Sequence, residues 1–428
     1  MPEPVAALVL WGGRDVSMEK EEAETTGTDL KWYMSGIWLY FISTGIQGVM
    51  FPWIITIVLH ESSAWVGIAQ MMSMLPMLVF TLFGGALADR VDLRRHLLRL
   101  QFIQTIPPLV LAAFIYTDHL SYALMLTFGV VLGVVGAYVM PTRDAMLTRI
   151  AMVSLKGNIQ RGVALSMSGQ FLGQVCGFLI GGQAAKVGAP LLFVLQSVLL
   201  LGAVYTTSRL SPAPPMNFGR PQTSQLAAIR EGLVVIWKSE RLRPVIIMMF
   251  MSGILFMGVF MVLFPIMVRD VYHGSSFEIA LVNMCFFGGI GLSSYTLSHF
   301  RPIRRQGRTM MLAMCVGSCV MTVMHFGFPI YVVDFLALCW GLAGGVSMTQ
   351  SRAVVQEFAE PHMRARLIAA FQLGSMGGGP IGAVLTGILI QYLGPQDAVL
   401  VPAGLMVILW LSIFFLTPLW KMESLPKT

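Results

Sequence analysis

Charge is what this chain has least of. Aspartate, glutamate, lysine and arginine make up 11% of its 428 residues, where a soluble domain carries about 25%; too few remain to coat an ordinary water-facing surface. Histidine is sparse as well, with 7 residues. The 5 cysteines (Cys176, Cys285, Cys315, Cys319, Cys339) all fall inside apolar runs. Cys315 and Cys319 stand one helical turn apart, but no further His or Cys lies at ligand spacing, so the five read as small buried residues and no metal or other cofactor is expected. GxSxG, HExxH and a phosphate-binding glycine loop leading into a helix are all missing, which removes the corresponding hydrolase, metalloprotease and nucleotide-driven chemistries. No residue is assigned a catalytic role.

What is present is grease. Hydrophobic residues reach 56%, in runs of about 20 or more, each long enough to cross a bilayer. Turn signals divide them into twelve spans: 32–59, 64–88, 96–116, 120–140, 158–186, 190–209, 244–269, 277–299, 308–325, 329–352, 363–392 and 396–420. The expected class is all-α integral membrane. With both termini in the cytoplasm, all of the 28 lysines and arginines except Lys186 and Arg269 fall on the cytoplasmic side, as cytoplasmic loops require. The expected location is the inner cell membrane. The formal charge of +7 is thereby a matter of topology and implies no nucleic-acid partner.

Residues 1–31 carry Glu19, Glu21, Glu22 and Glu24 and lack the basic leader of a signal peptide; a disordered cytosolic tail is expected. Residues 32–210 and 244–420 then form two six-helix bundles, joined by the linker 211–243 and followed by a tail at 421–428. Inside the linker, Leu226, Ile229, Leu233, Ile236 and Trp237 recur at helical spacing opposite Arg230, Glu231 and Lys238, the pattern of an amphipathic helix on the membrane surface. The halves look duplicated. A shift of 206 residues lays Gly85 on Gly291, Gly173 on Gly379, Gly181 on Gly387 and Gly188 on Gly394, the weak internal symmetry of a parallel repeat.

Glycines form two stripes. Gly169, Gly173, Gly177 and Gly181, followed by Gly182, mark the fifth span, and Gly374, Gly378 and Gly382 the eleventh. Small residues one turn apart let another helix backbone approach closely, which serves plain packing or a moving gate. A third cluster, "GGALADRVDLRRH", puts charge directly between spans two and three.

Twelve spans in a six plus six order, that charged loop and the glycine-rich fifth span resemble the major facilitator superfamily. The family's loop signature appears here as Gly85, Asp89, Arg90, Arg94 and Arg95, with Asp92 where glycine is usual and Leu93 where arginine is common. Its antiporter motif is similar to Gly173, Gly177, Phe178, Gly181, Gly182, with the proline replaced. The family's arginine in the middle of helix 4 is absent. "MPTRDAML", "LSMSGQFLGQVCGFLIGG", "IREGLVVIWKSERLRP" and "RARLIAAFQLGSMGGGPIGAVLTG" are similar to the exporter branch that includes the enterobactin exporter and related drug exporters. The resemblance implies two pseudo-symmetric bundles working by alternating access. It also implies a loop in which Asp89 faces the start of helix 11 near Arg364 and Arg366, while Arg90 and Arg94 meet acids of neighbouring loops.

Ionisable groups inside a membrane are costly and usually functional. The first six spans hold no interior carboxylate, so Asp334, a turn into the tenth, is the candidate for proton coupling; an acid at the outer water interface is the other reading. Gln47, Gln170, Gln174, Asn283, Gln350 and Gln372 are candidates to hydrogen-bond cargo or one another, and Trp53, Phe256, Phe260, Phe286 and Trp340 offer flat apolar contact. Such a path suits a small amphipathic or aromatic molecule. The expectation is a monomeric secondary exporter of siderophore- or drug-like cargo in the lipid bilayer, driven by protons. Alternatives are a lysophospholipid transporter, or a membrane sensor or assembly protein that kept the fold.

Overall fold

A computed structural model describes residues 6–88, 90–155, 157–214, 225–299, 303–358 and 364–422. Among these every regular element is helical. The first half contains α1 (Ala6–Trp53, continued by a π turn at Ile54–Val58), α2 (Ser63–Ala88), α3 (Leu93–Tyr116), α4 (Tyr122–Ser154), α5 (Ile159–Gly181) and α6 (Ala189–Ser208). The second contains α7 (Leu242–Asp270, with a π turn at Gly253–Met257), α8 (Ser276–His299), α9 (Gln306–Met324), α10 (Ile330–Phe358), α11 (Arg364–Leu393) and α12 (Leu400–Leu416). Eleven are long and apolar enough to cross a membrane. The twelfth, α12, has 17 residues, at the short end of what spans a hydrocarbon core. Large apolar side chains such as Phe102, Ile408, Phe415 and Leu416 lie exposed on the outside, where lipid rather than water must meet them.

The two halves pack by one scheme used twice. In the first, α1 lies on α5, α2 on α4 and α3 on α6; in the second, α7 lies on α11, α8 on α10 and α9 on α12. Contact between halves follows the same symmetry, through α2 with α11 and α5 with α8. Two hairpins repeat it at residue level. His60 precedes Glu61-Ser62-Ser63 with φ 52°, and His273 precedes Gly274-Ser275-Ser276 with φ 48°. Gly188, after the short helix Ala184–Val187 that follows α5, and Gly394, after α11, stand at φ 94° and 80°, a conformation that glycine adopts without penalty.

The glycine stripes are packing surfaces inside each half. A Cβ on Gly177 would overlap the Ile42 carbonyl and lie 2.7 Å from Gly45 Cα. In the second half Gly378 and Gly382 meet the backbone of Phe250, Gly253 and Ile254 in the same way. Gly182 differs, since its missing Cβ would come within 2.8 Å of the Ala280 side chain in α8 of the other half.

Backbone helix begins at Ala6, ahead of the first drawn span. One expected boundary needs correction: α4 does not stop at Met140 but continues to Ser154 with Pro141 inside it; proline is tolerated in membrane helices when neighbours satisfy the freed groups. Arg143 and Asp144, beyond the drawn span, therefore lie within a helix. The linker helix (Gln225–Lys238) rests on α11 and the start of α7, burying Ile236 while Leu233 and Trp237 are exposed. The side chains of Leu226 and Ile229 lie outside the described residues.

The charged loop has a local explanation at its odd residue. Asp92 is the N-cap of α3, accepting from the Arg95 backbone N–H at 2.8 Å, so the aspartate in place of glycine closes the loop and starts the next helix. Arg94 donates to the Ser208 carbonyl at the end of α6 rather than to an acid, the favourable place for a cation at a helix C-terminus.

Two stability outcomes follow. Gly177→Val forces apart α1 and α5 and is expected to leave no monodisperse protein on gel filtration, whereas Gly136→Ala, with nothing within 4 Å, is expected to be neutral or to gain up to about 1 kcal/mol. Asp92→Ala is expected to lose about 1 kcal/mol of stability in thermal melts while Asp92→Asn keeps it; equal melts for the two would refute the cap.

Candidate functional site

A cavity of about 220 Å³ lies where the halves meet. From the first half, Gln47 and Phe51 of α1, Gln70, Ser73 and Met74 of α2, and Gln174 and Phe178 of α5 reach it. From the second come Phe260, Met261 and Phe264 of α7, with Asn283 and Phe287 of α8. No lysine, arginine, histidine or acid lines it among the described residues. The first half supplies most of its amides and hydroxyls together with Phe51 and Phe178, and the second most of its rings together with Asn283.

The amides are held by their own bonds. Gln196 Nε2 reaches Gln47 Oε1 at 3.5 Å, Gln70 Nε2 donates to the Met261 carbonyl across the halves at 3.3 Å, and Asn283 Nδ2 donates to the Ile279 carbonyl at 2.9 Å. In each case other polar capacity of the amide remains. Among the rings, Phe260 stacks on Phe286 with centroids 3.9 Å apart, and Phe287 meets Phe178 of the first half at 5.5 Å. Phe256 and Trp340 stand behind this layer, edge to face at 5.6 Å, and are buried.

Of the path candidates, then, Gln47, Gln174, Phe260 and Asn283 are brought together at the cavity. Phe286, Phe256 and Trp340 brace its rings from behind. Trp53 is buried with no acceptor for its indole N–H, Gln350 is buried, Gln170 half-buried and Gln372 exposed, and none of these four lines the cavity. Sequence reading passed over the whole α2 contribution, although Gln70 carries the same signal as Gln47, an amide inside an apolar run.

Charged groups flank the cavity at a distance. Arg143 is 4% exposed and lies over the rings of Tyr40 and Phe41 at 4.9 and 4.4 Å, a cation held by aromatic faces, while Tyr33 donates to its carbonyl at 2.9 Å. An arginine thus does sit within α4. Beside it in α4, Asp144 lies on the linker side, as does Arg352 of α10 in the other half. Of the loop motif, Asp89 lies outside the described residues, as do the side chains of Arg364 and Arg366; Gly85 is half-buried and Arg90 and Arg95 are at the surface.

At the opposite side Asp334 is 7% exposed and its Oδ1 has no hydrogen-bond partner. Glu278, on the neighbouring helix, is held by Ser275 through its backbone N–H and hydroxyl at 2.6 and 2.7 Å. The Tyr272 hydroxyl, in the loop above, is pushed upward in pKa first by burial and then by the charge of Asp334, so it stays a donor, to the Phe328 carbonyl at 2.7 Å.

A second cavity, about 280 Å³, is a groove between α3 and α4 lined by Ile103, Ile106, Val110, Val131 and their neighbours. It is almost wholly apolar, shares no residue with the cavity between the halves, and faces outward.

Known proteins agree with this architecture. Over 396 residues the chain is 26% identical to the multidrug efflux pump Tap of Mycolicibacterium fortuitum, covering 90% of this chain and 94% of Tap. It is 23% identical over 378 residues to the staphyloferrin A transporter of Staphylococcus aureus, covering 85% and 90%. In fold it matches the nucleoside transporter NupG with a TM-score of 0.70 at 13% identity, over 90% of this chain and 98% of NupG. A bacterial homologue of the human lysosomal transporter Spinster, inward-facing and unoccupied, matches with a TM-score of 0.71 at 14% identity, over 94% and 99%. The Major Facilitator Superfamily profile itself matches residues 33–383, and the chain belongs to that family of membrane transporters.

Proposed function

We propose that this transporter is a proton-driven exporter of small, uncharged amphipathic molecules with a flat aromatic portion, working by alternating access from the cell membrane with both termini in the cytoplasm. The observation that carries the reading is the cavity between the halves, lined by amides, hydroxyls and aromatic rings with no charged side chain among the described residues. A molecule with a hydrogen-bonding edge and an apolar face satisfies both kinds of group, whereas a sugar or a polyanion leaves one kind unmatched. The names of two relatives, the multidrug efflux pump Tap and the staphyloferrin A transporter, support export of organic cargo. At about 220 Å³ the cavity is below the usual range for a drug-sized ligand, about 300–1,000 Å³, which favours a site that widens as the halves separate.

Orientation rests on the basic loops, which collect on the linker side. The contacts between halves then close the external side: Ser276 Oγ donates to the Gly182 carbonyl at 2.9 Å and accepts from Ala185 N–H at 3.0 Å. Missing Cβ atoms at Gly67 and Gly387 make room for the backbone of Ala383 and Ser63. Asp334, near the external end of α10, is the proton carrier in this reading. An ionised carboxylate with an unpaired buried oxygen bears a desolvation cost that protonation removes, so proton uptake from outside favours the externally closed form that receives cargo from the cytoplasm. The lysophospholipid reading needs a lateral opening, and the α3/α4 groove does not join the cavity.

Inverted vesicles loaded by a pH gradient test this with a neutral dye, N-phenylnaphthylamine. Uptake is expected to collapse with the gradient; uptake that persists excludes proton coupling, and absence of transport for a panel of such dyes favours the sensor reading. Asp334→Asn is expected to abolish gradient-driven uptake while leaving dye exchange at equilibrium intact. Phe260→Ala is expected to raise the half-saturating dye concentration about fivefold, the loss of about 1 kcal/mol of ring contact, with insertion unchanged.

A further inference from the structure

Arg269 is an anomaly of placement. Only it and Lys186 stand on the side that lysines and arginines otherwise avoid, and Lys186 is exposed. The guanidinium of Arg269, by contrast, is engaged at every nitrogen. Nη1 donates to the Thr56 carbonyl at 3.1 Å and to the Glu61 carbonyl at 2.7 Å, both in the first half of the chain. Nε and Nη2 donate to Asp270 Oδ1 and Oδ2 at 2.5 and 3.0 Å, a bidentate pair that holds the planar fork in one orientation.

The acceptors explain why a cation belongs there. Proline at position 52 and the π turn Ile54–Val58 give α1 an irregular end, where Leu59 N–H bonds back to the Ile54 carbonyl and Glu61 N–H to the Ile55 carbonyl. His60 then leaves the helix at φ 52°. The last carbonyls of a helix have no internal partner and form its negative pole. Thr56 is fully buried, so water cannot easily serve its carbonyl, and the donor arrives from α7 of the other half. Nearby contacts between the halves include the Ser276 hydroxyl on the Gly182 carbonyl and the close approach of Gly182 to Ala280.

We propose that Arg269, oriented by Asp270, is the external gate's clamp: it caps the end of α1 from α7 when the outside is closed and must release both carbonyls for the outside to open. Breaking it takes from Nη1 both of its acceptors and from the buried Thr56 carbonyl its donor, so the clamp favours the closed form in proportion to these hydrogen bonds. This rests on the alternating-access reading above, but it concerns the gate and not the cargo. Lysine keeps the charge yet lacks the fork that reaches two carbonyls and a carboxylate at once.

The test needs no cargo. A parent protein carrying Thr56→Cys is inserted in right-side-out vesicles, and its labelling at position 56 by a membrane-impermeant maleimide is measured above the background of protein that keeps threonine there. Added to that parent, Arg269→Gln is expected to raise the rate about tenfold and Arg269→Lys several-fold, with Asp270→Asn between the parent and the lysine variant. A rate equal to the parent's in Arg269→Gln overturns the clamp; if that variant does not purify folded, a rate equal to the parent's in Arg269→Lys does so. Dye transport by the parent is measured alongside. Transport with unchanged labelling removes the clamp alone, and no transport removes the export reading whatever the labelling shows.

Discussion

Backbone meeting backbone at glycine is the contact on which the rest of this molecule depends. Lipid tails are as apolar as leucine, so helices in a bilayer gain little by hiding side chains from them and associate through close packing instead. Gly45 against Gly177, and Gly253 and Gly258 against Gly378 and Gly382, bring α1 onto α5 and α7 onto α11 more closely than any side chain would permit. With those pairs fixed, α1 and α7 present Gln47 and Phe260 to the space between the halves, and the cavity follows.

The same two-fold plan distributes contacts unequally along the membrane normal. On the side away from the linker the halves meet through Gly182, Gly67, Ser276 and the carbonyls at the end of α1, beside a hydrophobic cluster that both halves share. On the linker side Asp144 and Arg352 carry charge in helices of opposite halves, and Arg143 lies buried over two rings of its own half.

Much of this was legible because the bilayer imposes length and composition. The spans, the glycine stripes and the two-fold repeat are visible in residues alone, and Gly188 and Gly394 occupy matching left-handed turns as the 206-residue shift implies. Other features were hidden by local cues. Pro141 and the charges after it fell beyond the drawn span, but α4 runs through them, which concealed Arg143 and Asp144. Asp92 looked like damage to a family motif, whereas its side chain caps α3. Phe256 and Trp340 are as aromatic as Phe260, and only packing separates the rings that line the cavity from those that brace it. The repeat of His60-Glu61-Ser62-Ser63 in His273-Gly274-Ser275-Ser276 was readable but lies at a different offset from the glycines, so the shift that aligns the hairpins does not lay Gly85 on Gly291, which follow them in α2 and α8.

The central claim is that cargo is held in the cavity between the halves. Photolabelling with a diazirine derivative of a transported neutral aromatic dye, followed by peptide mapping, tests it most directly. The account predicts adducts on α5 and α7 around Gln174 and Phe260, diminished by excess unlabelled dye. Competed labelling confined to Ile106 and Val110 in the α3/α4 groove would contradict it.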